Sequence, residues 1–196
     1  MRTTRTILWL AALAVALTLT SCVHSLQPLY TEKDLIFDPA LVGVWSEEDS
    51  KDSWAFEKSG EKEYRVTFTD SDGKPGVFQV HLLKIGGQLF LDFFPDKAAM
   101  EELKRNDFFK FHYLPAHTFA RVAQIEPALQ MGLLSQDWLR EILAADPKAI
   151  GHEKIEGSTI VLTASTEKLQ AFVLKHVEDE KAFGGLSNLK RRAISK

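Results

Sequence analysis

The chain has 196 residues, 45% of them hydrophobic, with thirteen Phe and four Trp. That size and apolar content suit one globular domain with a single core and exclude wholesale disorder. The formal charge of −3 becomes −5 once residues 1–21, which hold Arg2 and Arg5 and no acid, are set aside. That balance argues against a nucleic-acid binder, which would show a concentrated basic face.

Residues 1–21 read as a processing segment. Arg2 and Arg5 make a positive start, and ILWLAALAVALTL (7–19) is an apolar run of thirteen residues, shorter than the ~20 that span a bilayer. It ends in Leu19-Thr20-Ser21-Cys22, an aliphatic residue and two small ones ahead of the chain's one cysteine. Small residues let an extended backbone enter a peptidase cleft, and a thiolate is a strong nucleophile for thioether formation. The four residues resemble the lipobox of bacterial lipoproteins. The resemblance implies a signal peptide over 1–21 and acylation of Cys22 with two or three chains. It also implies stable attachment to membrane lipid without a spanning helix. Val23, rather than Asp, follows the cysteine, which by the same resemblance implies the outer membrane of the cell envelope. A lone cysteine forms no internal disulfide, so stability must come from the core.

Residues 22–37 carry a proline and scattered charges without a sustained period and are expected to form the lipidated tether. Short segments rich in β-branched and aromatic residues follow. LVGVWSEE opens the series, and DSWAFEK (52–58) puts Trp54 and Phe56 on one face. EYRVTFT (63–69) alternates Tyr64, Val66 and Phe68 against Arg65, Thr67 and Thr69. DSDGKPG (70–76) is a turn by composition. VFQVHLLKI (77–85) aligns Phe78, Val80 and Leu82, and Gly86-Gly87 turns the chain into QLFLDFF (88–94). Four or five strands at this spacing describe an antiparallel meander.

A helix is predicted around 97–104, after Pro95, and HTFARVAQIE (117–126) resumes strand character before a turn at Glu126-Pro127. Ser135 is a suitable N-cap for a helix to about 145, with Trp138, Leu139, Ile142 and Leu143 on one face. STIVLTA (158–164) reads as the last strand. Residues 165–183 read as an amphipathic helix with Leu169, Phe172, Val173, His176 and Val177 inward. The remainder, 184–196, is expected to be a solvated basic tail with Lys190, Arg191, Arg192 and Lys196.

With that order in place, Gly43-Val44-Trp45 in the first strand of a meander resembles the GxW of the lipocalins. The resemblance implies an up-and-down antiparallel β-barrel, here a mainly β (α+β) fold with an inserted helix and a C-terminal amphipathic helix, over residues 38–183. It implies Gly43 and Trp45 at the barrel floor, with an Arg from the last strand packed on the Trp. STIVLTA has no Arg, which leaves Arg121 as the stand-in by a cation–π contact. The aromatics expected to line or plug the barrel are Trp54, Phe56, Tyr64, Phe68, Phe78 and Phe90. Alternation identifies an inner face but leaves open whether it is hollow.

No catalytic residue, metal site or cofactor is expected. His112 and His117 fall on opposite faces of an extended chain, His152 in a turn and His176 on an apolar helix face; no pair has the spacing of a zinc site. No Gly-x-Ser-x-Gly occurs, GKPG lacks the phosphate-loop setting, and the acid runs at 47–52 and 177–183 suit solvated surfaces. The expected function is therefore that of a non-enzymatic, membrane-anchored lipoprotein. Its barrel holds a small hydrophobic ligand or, alternatively, is solid and serves as a protein–protein interaction module of the envelope.

Overall fold

A computed structural model of the chain describes residues 22–155 and 159–192. The proposed signal peptide, 1–21, lies outside the described residues, as do residues 156–158 and 193–196.

Eight antiparallel strands close a barrel in which each strand pairs with its sequence neighbour. They are β3 (Gly43–Ser46), β4 (Ser53–Lys58), β5 (Tyr64–Thr69), β6 (Pro75–Ile85), β7 (Gln88–Pro95), β8 (Thr118–Gln124), β9 (Leu129–Leu133) and β12 (Ser187–Arg191). The mainly β, up-and-down, lipocalin-like architecture is thus present, with its helices outside the barrel. The alternating segments at 52–58, 63–69 and 77–85 became β4, β5 and β6, because period-two burial needs nothing beyond the local chain. Gly86 and Gly87 both have positive φ, 55° and 82°, as the tight β6–β7 turn requires.

Closure corrects the reading of both ends of the chain. Residues 184–196 are not wholly a solvated tail: Ser187–Arg191 pairs with β9 on one side and β3 on the other, and Leu189 is buried. The segment 158–164 is not the last barrel strand. Thr159–Leu162 is β11, the middle strand of a separate sheet between β1 (His24–Ser25) and β10 (His152–Ile155). Nor are residues 22–37 a free tether. Val23 and Leu29 are buried, β1 pairs with β11, and β2 (Leu35–Ile36) pairs with β6.

Two cores result where composition suggested one. The inner core holds Leu41, Trp45, Phe56, Tyr64, Leu82, Leu91 and their neighbours along the barrel axis. The outer core lies against the other face of β6–β8. It gathers Leu83, Phe90 and Phe119 with the apolar faces of helices α3 (Gln136–Ala145) and α4 (Thr166–Lys175). Successive residues alternate faces, so Leu82 opposite Leu91 points inward and Leu83 opposite Phe90 points outward. A strand buried on both faces reads as a nearly unbroken apolar run, as in QLFLDFF.

Both long helices begin where expected. The Ser135 hydroxyl caps α3 by accepting from the Trp138 N–H, and Leu169, Phe172 and Val173 of α4 are buried. The predicted helix to 183 ends instead at Lys175, and tight turns carry the chain to Gly184. Glu178, Asp179 and Glu180 would load the negative end of a longer helix with acids. Between β7 and β8 two short helices form, α1 (Lys97–Glu101) and α2 (Asp107–Phe111), where one was expected.

Candidate functional site

The barrel floor is built around Gly43, Trp45 and Arg191. The Trp45 indole N–H donates to the Leu41 carbonyl at 2.8 Å, holding the 3-10 turn Pro39–Leu41 across the barrel end. The Arg191 guanidinium lies 4.3 Å from the Trp45 ring centroid and donates to the carbonyls of Val42 and Ala40 at 2.5 and 2.6 Å. Gly43 has φ 143°, and a Cβ there would collide with the guanidinium of Arg191. Only glycine admits both the backbone angle and the approach. Arg121 is not the stand-in: it sits on the outer face opposite Phe90 and donates to the Val177 carbonyl at 2.8 Å.

The six aromatics expected at the interior fall into three places. Phe56 and Tyr64 are on the axis and almost fully buried. The Tyr64 hydroxyl accepts from the Asp38 N–H and donates to the Asp38 carbonyl, tying the floor turn to β5. Burial, against the lowering influence of its backbone hydrogen bond with Asp38 and with the Asp38 charge adding a little, pushes the Tyr64 pKa up to about 12. Trp54, Phe68 and Phe78 are half-buried at the end away from the floor, where Trp54 meets Phe68 at 4.4 Å and Phe93 at 5.7 Å. Phe90 is not inside the barrel at all. It belongs to the outer core, 5.7 Å from Phe183. The register decides this, because Phe90 shares a face with Leu83 and Arg121.

Trp45, Tyr64, Val66, Leu82 and Leu91 have no exposed surface and Phe56 only 1%. With no surface left accessible, these side chains fill the axis beside the floor.

A polar centre that residue spacing did not indicate lies outside the barrel wall. Asp92 is 1% exposed. One carboxylate oxygen accepts from the Leu29 N–H at 2.7 Å and the other meets His117 Nδ1 at 2.7 Å. Burial pushes its pKa upward against the lowering influence of His117 and the Leu29 amide. His81 stands opposite Asp92 on β6 and meets Tyr30 in a tilted contact at 4.6 Å; the His117 ring packs on Phe94 at 4.5 Å. Burial, followed by the charges of Asp92, Glu32 and Glu63, pushes Tyr30 up to about 12. The one signal for this centre was a carboxylate inside an apolar strand, Leu91-Asp92-Phe93. Both oxygens of Asp92 are engaged in holding the N-terminal segment and the β7–β8 connector to the barrel.

Cys22 is half-buried, bridged to Ser135 at the start of α3, and burial raises its thiol pKa. Among the described residues, no group of three or more His, Cys, Asp or Glu side chains is placed to hold a metal ion, and no helix is long and apolar enough to cross a membrane. The β7–β8 connector is unusual for its exposed apolar side chains, with Phe108 77%, Phe111 84% and Leu114 75% exposed.

Comparison of the chain with protein-family models, with curated proteins and with solved structures finds no match.

Proposed function

We propose that this chain is a non-enzymatic bacterial lipoprotein, acylated on Cys22, whose solid barrel serves as an interaction module at the surface of an envelope membrane. The observation that carries the interaction reading is the packed axis, where Trp45, Tyr64, Leu82 and Leu91 leave no accessible surface for an apolar ligand. The anchor reading rests on Leu19-Thr20-Ser21-Cys22 after a short apolar run.

Two experiments test this reading. In cells, the parent is expected to incorporate a labelled fatty acid and Cys22→Ala is not; no label on the parent, or equal label on Cys22→Ala, would refute the anchor. For the barrel, chain lacking residues 1–21 is titrated with fluorescent fatty acids while Trp emission is followed. The expected result is no saturable quenching. Saturable quenching, or lipid retained in native mass spectrometry, would return the protein to the ligand-carrier class.

A further inference from the structure

The β7–β8 connector, with its exposed apolar residues, ends beside the point where the chain enters the fold. His117, just past the connector, exchanges backbone hydrogen bonds with Ser25, each 2.9 Å. Along the extended stretch from Cys22, Val23 and Ser25 are buried while Cys22, His24 and Leu26 turn the other way, so these three share an outward face. Four residues of extended chain put Leu26 within roughly 14 Å of Cys22. On that side Leu26, Leu114, Ala116 and Ile155 line an open hollow of about 450 Å³ whose one acid is Glu153. Leu114 continues backward through the exposed Phe111 and Phe108 of α2.

Cations stand among the exposed rings of this segment. Lys104, Arg105 and Lys110 flank Phe108, Phe109 and Phe111, while the connector as a whole, residues 96–117, is neutral, with Lys97, Lys104, Arg105 and Lys110 against Asp96, Glu101, Glu102 and Asp107. Aromatic residues interleaved with cations suit a bilayer interface with anionic headgroups, where rings enter the acyl boundary and cations meet phosphate. The basic residues of β12 are engaged elsewhere: Lys190 pairs with Glu48, and Arg191 packs on Trp45.

We infer that Phe108, Phe111 and Leu114 insert into the anionic bilayer surface beside Cys22, so that the domain lies on the membrane in one orientation. The inference rests on the lipoprotein reading for its choice of partner. With residues 22–37 folded onto the domain, no slack chain separates an acylated Cys22 from this face. The acyl chains and the connector then enter the same leaflet together.

The test uses the chain from residue 22 with Cys22→Ser, which cannot be acylated. It is sedimented with vesicles of phosphatidylethanolamine and phosphatidylglycerol, and separately with phosphatidylcholine vesicles. The parent is expected to sediment with the anionic vesicles, less so at high salt. Phe108→Ser/Phe111→Ser/Leu114→Ser is expected to weaken this by about tenfold or more, with an unchanged melting curve because all three side chains are exposed. Lys104→Ala/Arg105→Ala/Lys110→Ala is expected to remove most of the salt dependence. No sedimentation of the parent, or equal sedimentation of the apolar triple variant, would overturn the inference. So would a concentration-dependent dimer abolished by the same substitutions without vesicle binding, which assigns the face to a second copy of the chain. The anchor is tested apart from this by fatty-acid labelling of the parent and Cys22→Ala in cells. Absence of fatty-acid label on the parent there, with Phe111-dependent vesicle binding here, would refute acylation and leave the apolar face standing.

Discussion

The Arg191 guanidinium lies 4.3 Å from the Trp45 ring centroid, joining residues of the last and first barrel strands. It also holds the Ala40 and Val42 carbonyls of the floor turn. Arg191→Ala removes a cation–π contact and two charge-assisted hydrogen bonds, with an expected cost of about 2 kcal/mol. Arg191→Lys recovers little of it, since an ammonium cannot span both carbonyls and cover the ring. Urea denaturation checks both. Equal stability of parent and Arg191→Ala would mean that the floor is held without this residue.

Removal of residues 184–196 is expected to abolish cooperative unfolding rather than trim a tail. Without Ser187–Arg191, the partners β3 and β9 become open edges, and the inner core is opened along one side. Calorimetry of the truncated chain decides it: a transition matching the parent would contradict the role of the strand.

Asp92 supports two chain segments from one buried carboxylate. Asp92→Ala should cost about 3 kcal/mol, because it strands a buried amide and the histidine together. Asp92→Asn keeps an acceptor for one partner and should cost less. Hydrogen exchange at the Leu29 amide, which donates to Asp92, should accelerate in both variants more than exchange in β4 or β5.

His176 gives a pH prediction of definite sign. Burial, then the charge of Lys175, lowers its pKa from 6.5, against a smaller raising influence of Asp179. Its ring packs 5.0 Å from Trp138 and 4.9 Å from Phe172. The unfolded chain therefore binds this proton more readily than the native one, and stability rises with pH in that window. The contribution is complete above the ordinary histidine range and is lost as pH falls through it toward the folded value. Melting temperatures between pH 8 and about 5.5 should show a shallower slope for His176→Gln than for the parent. An identical slope would remove His176 from the account.

The two sides of the barrel wall should respond alike to truncation. Phe56→Ala on the axis and Phe90→Ala in the outer core each empty a ring-sized volume in a packed core, at about 3–5 kcal/mol apiece. Trp54→Ala, at the half-buried end, should cost less. A Phe90→Ala variant as stable as the parent would mean that the outer layer contributes little to the fold.

The local pattern determined the strands at 52–58, 64–69 and 77–94 and the apolar faces of α3 and α4, because side-chain direction along a strand or helix follows from backbone geometry alone. GVW placed Gly43 and Trp45 together, but the steric need for glycine there comes from Arg191, 148 positions away. What the local pattern could not carry was the partner of each strand. SNLKR buries one apolar residue, Leu189, so it has no periodic signature; its pairing with β3, over 140 positions away, exists only in the closed barrel. The same holds for Phe90 and Asp92. Their alternation is local, but the layer that makes the outer face of β7 an interior is assembled from the N-terminal segment, α3, α4 and the second sheet. Sequence thus defines which residues share a face, and tertiary structure alone decides what that face meets, because burial depends on contacts between segments far apart along the chain.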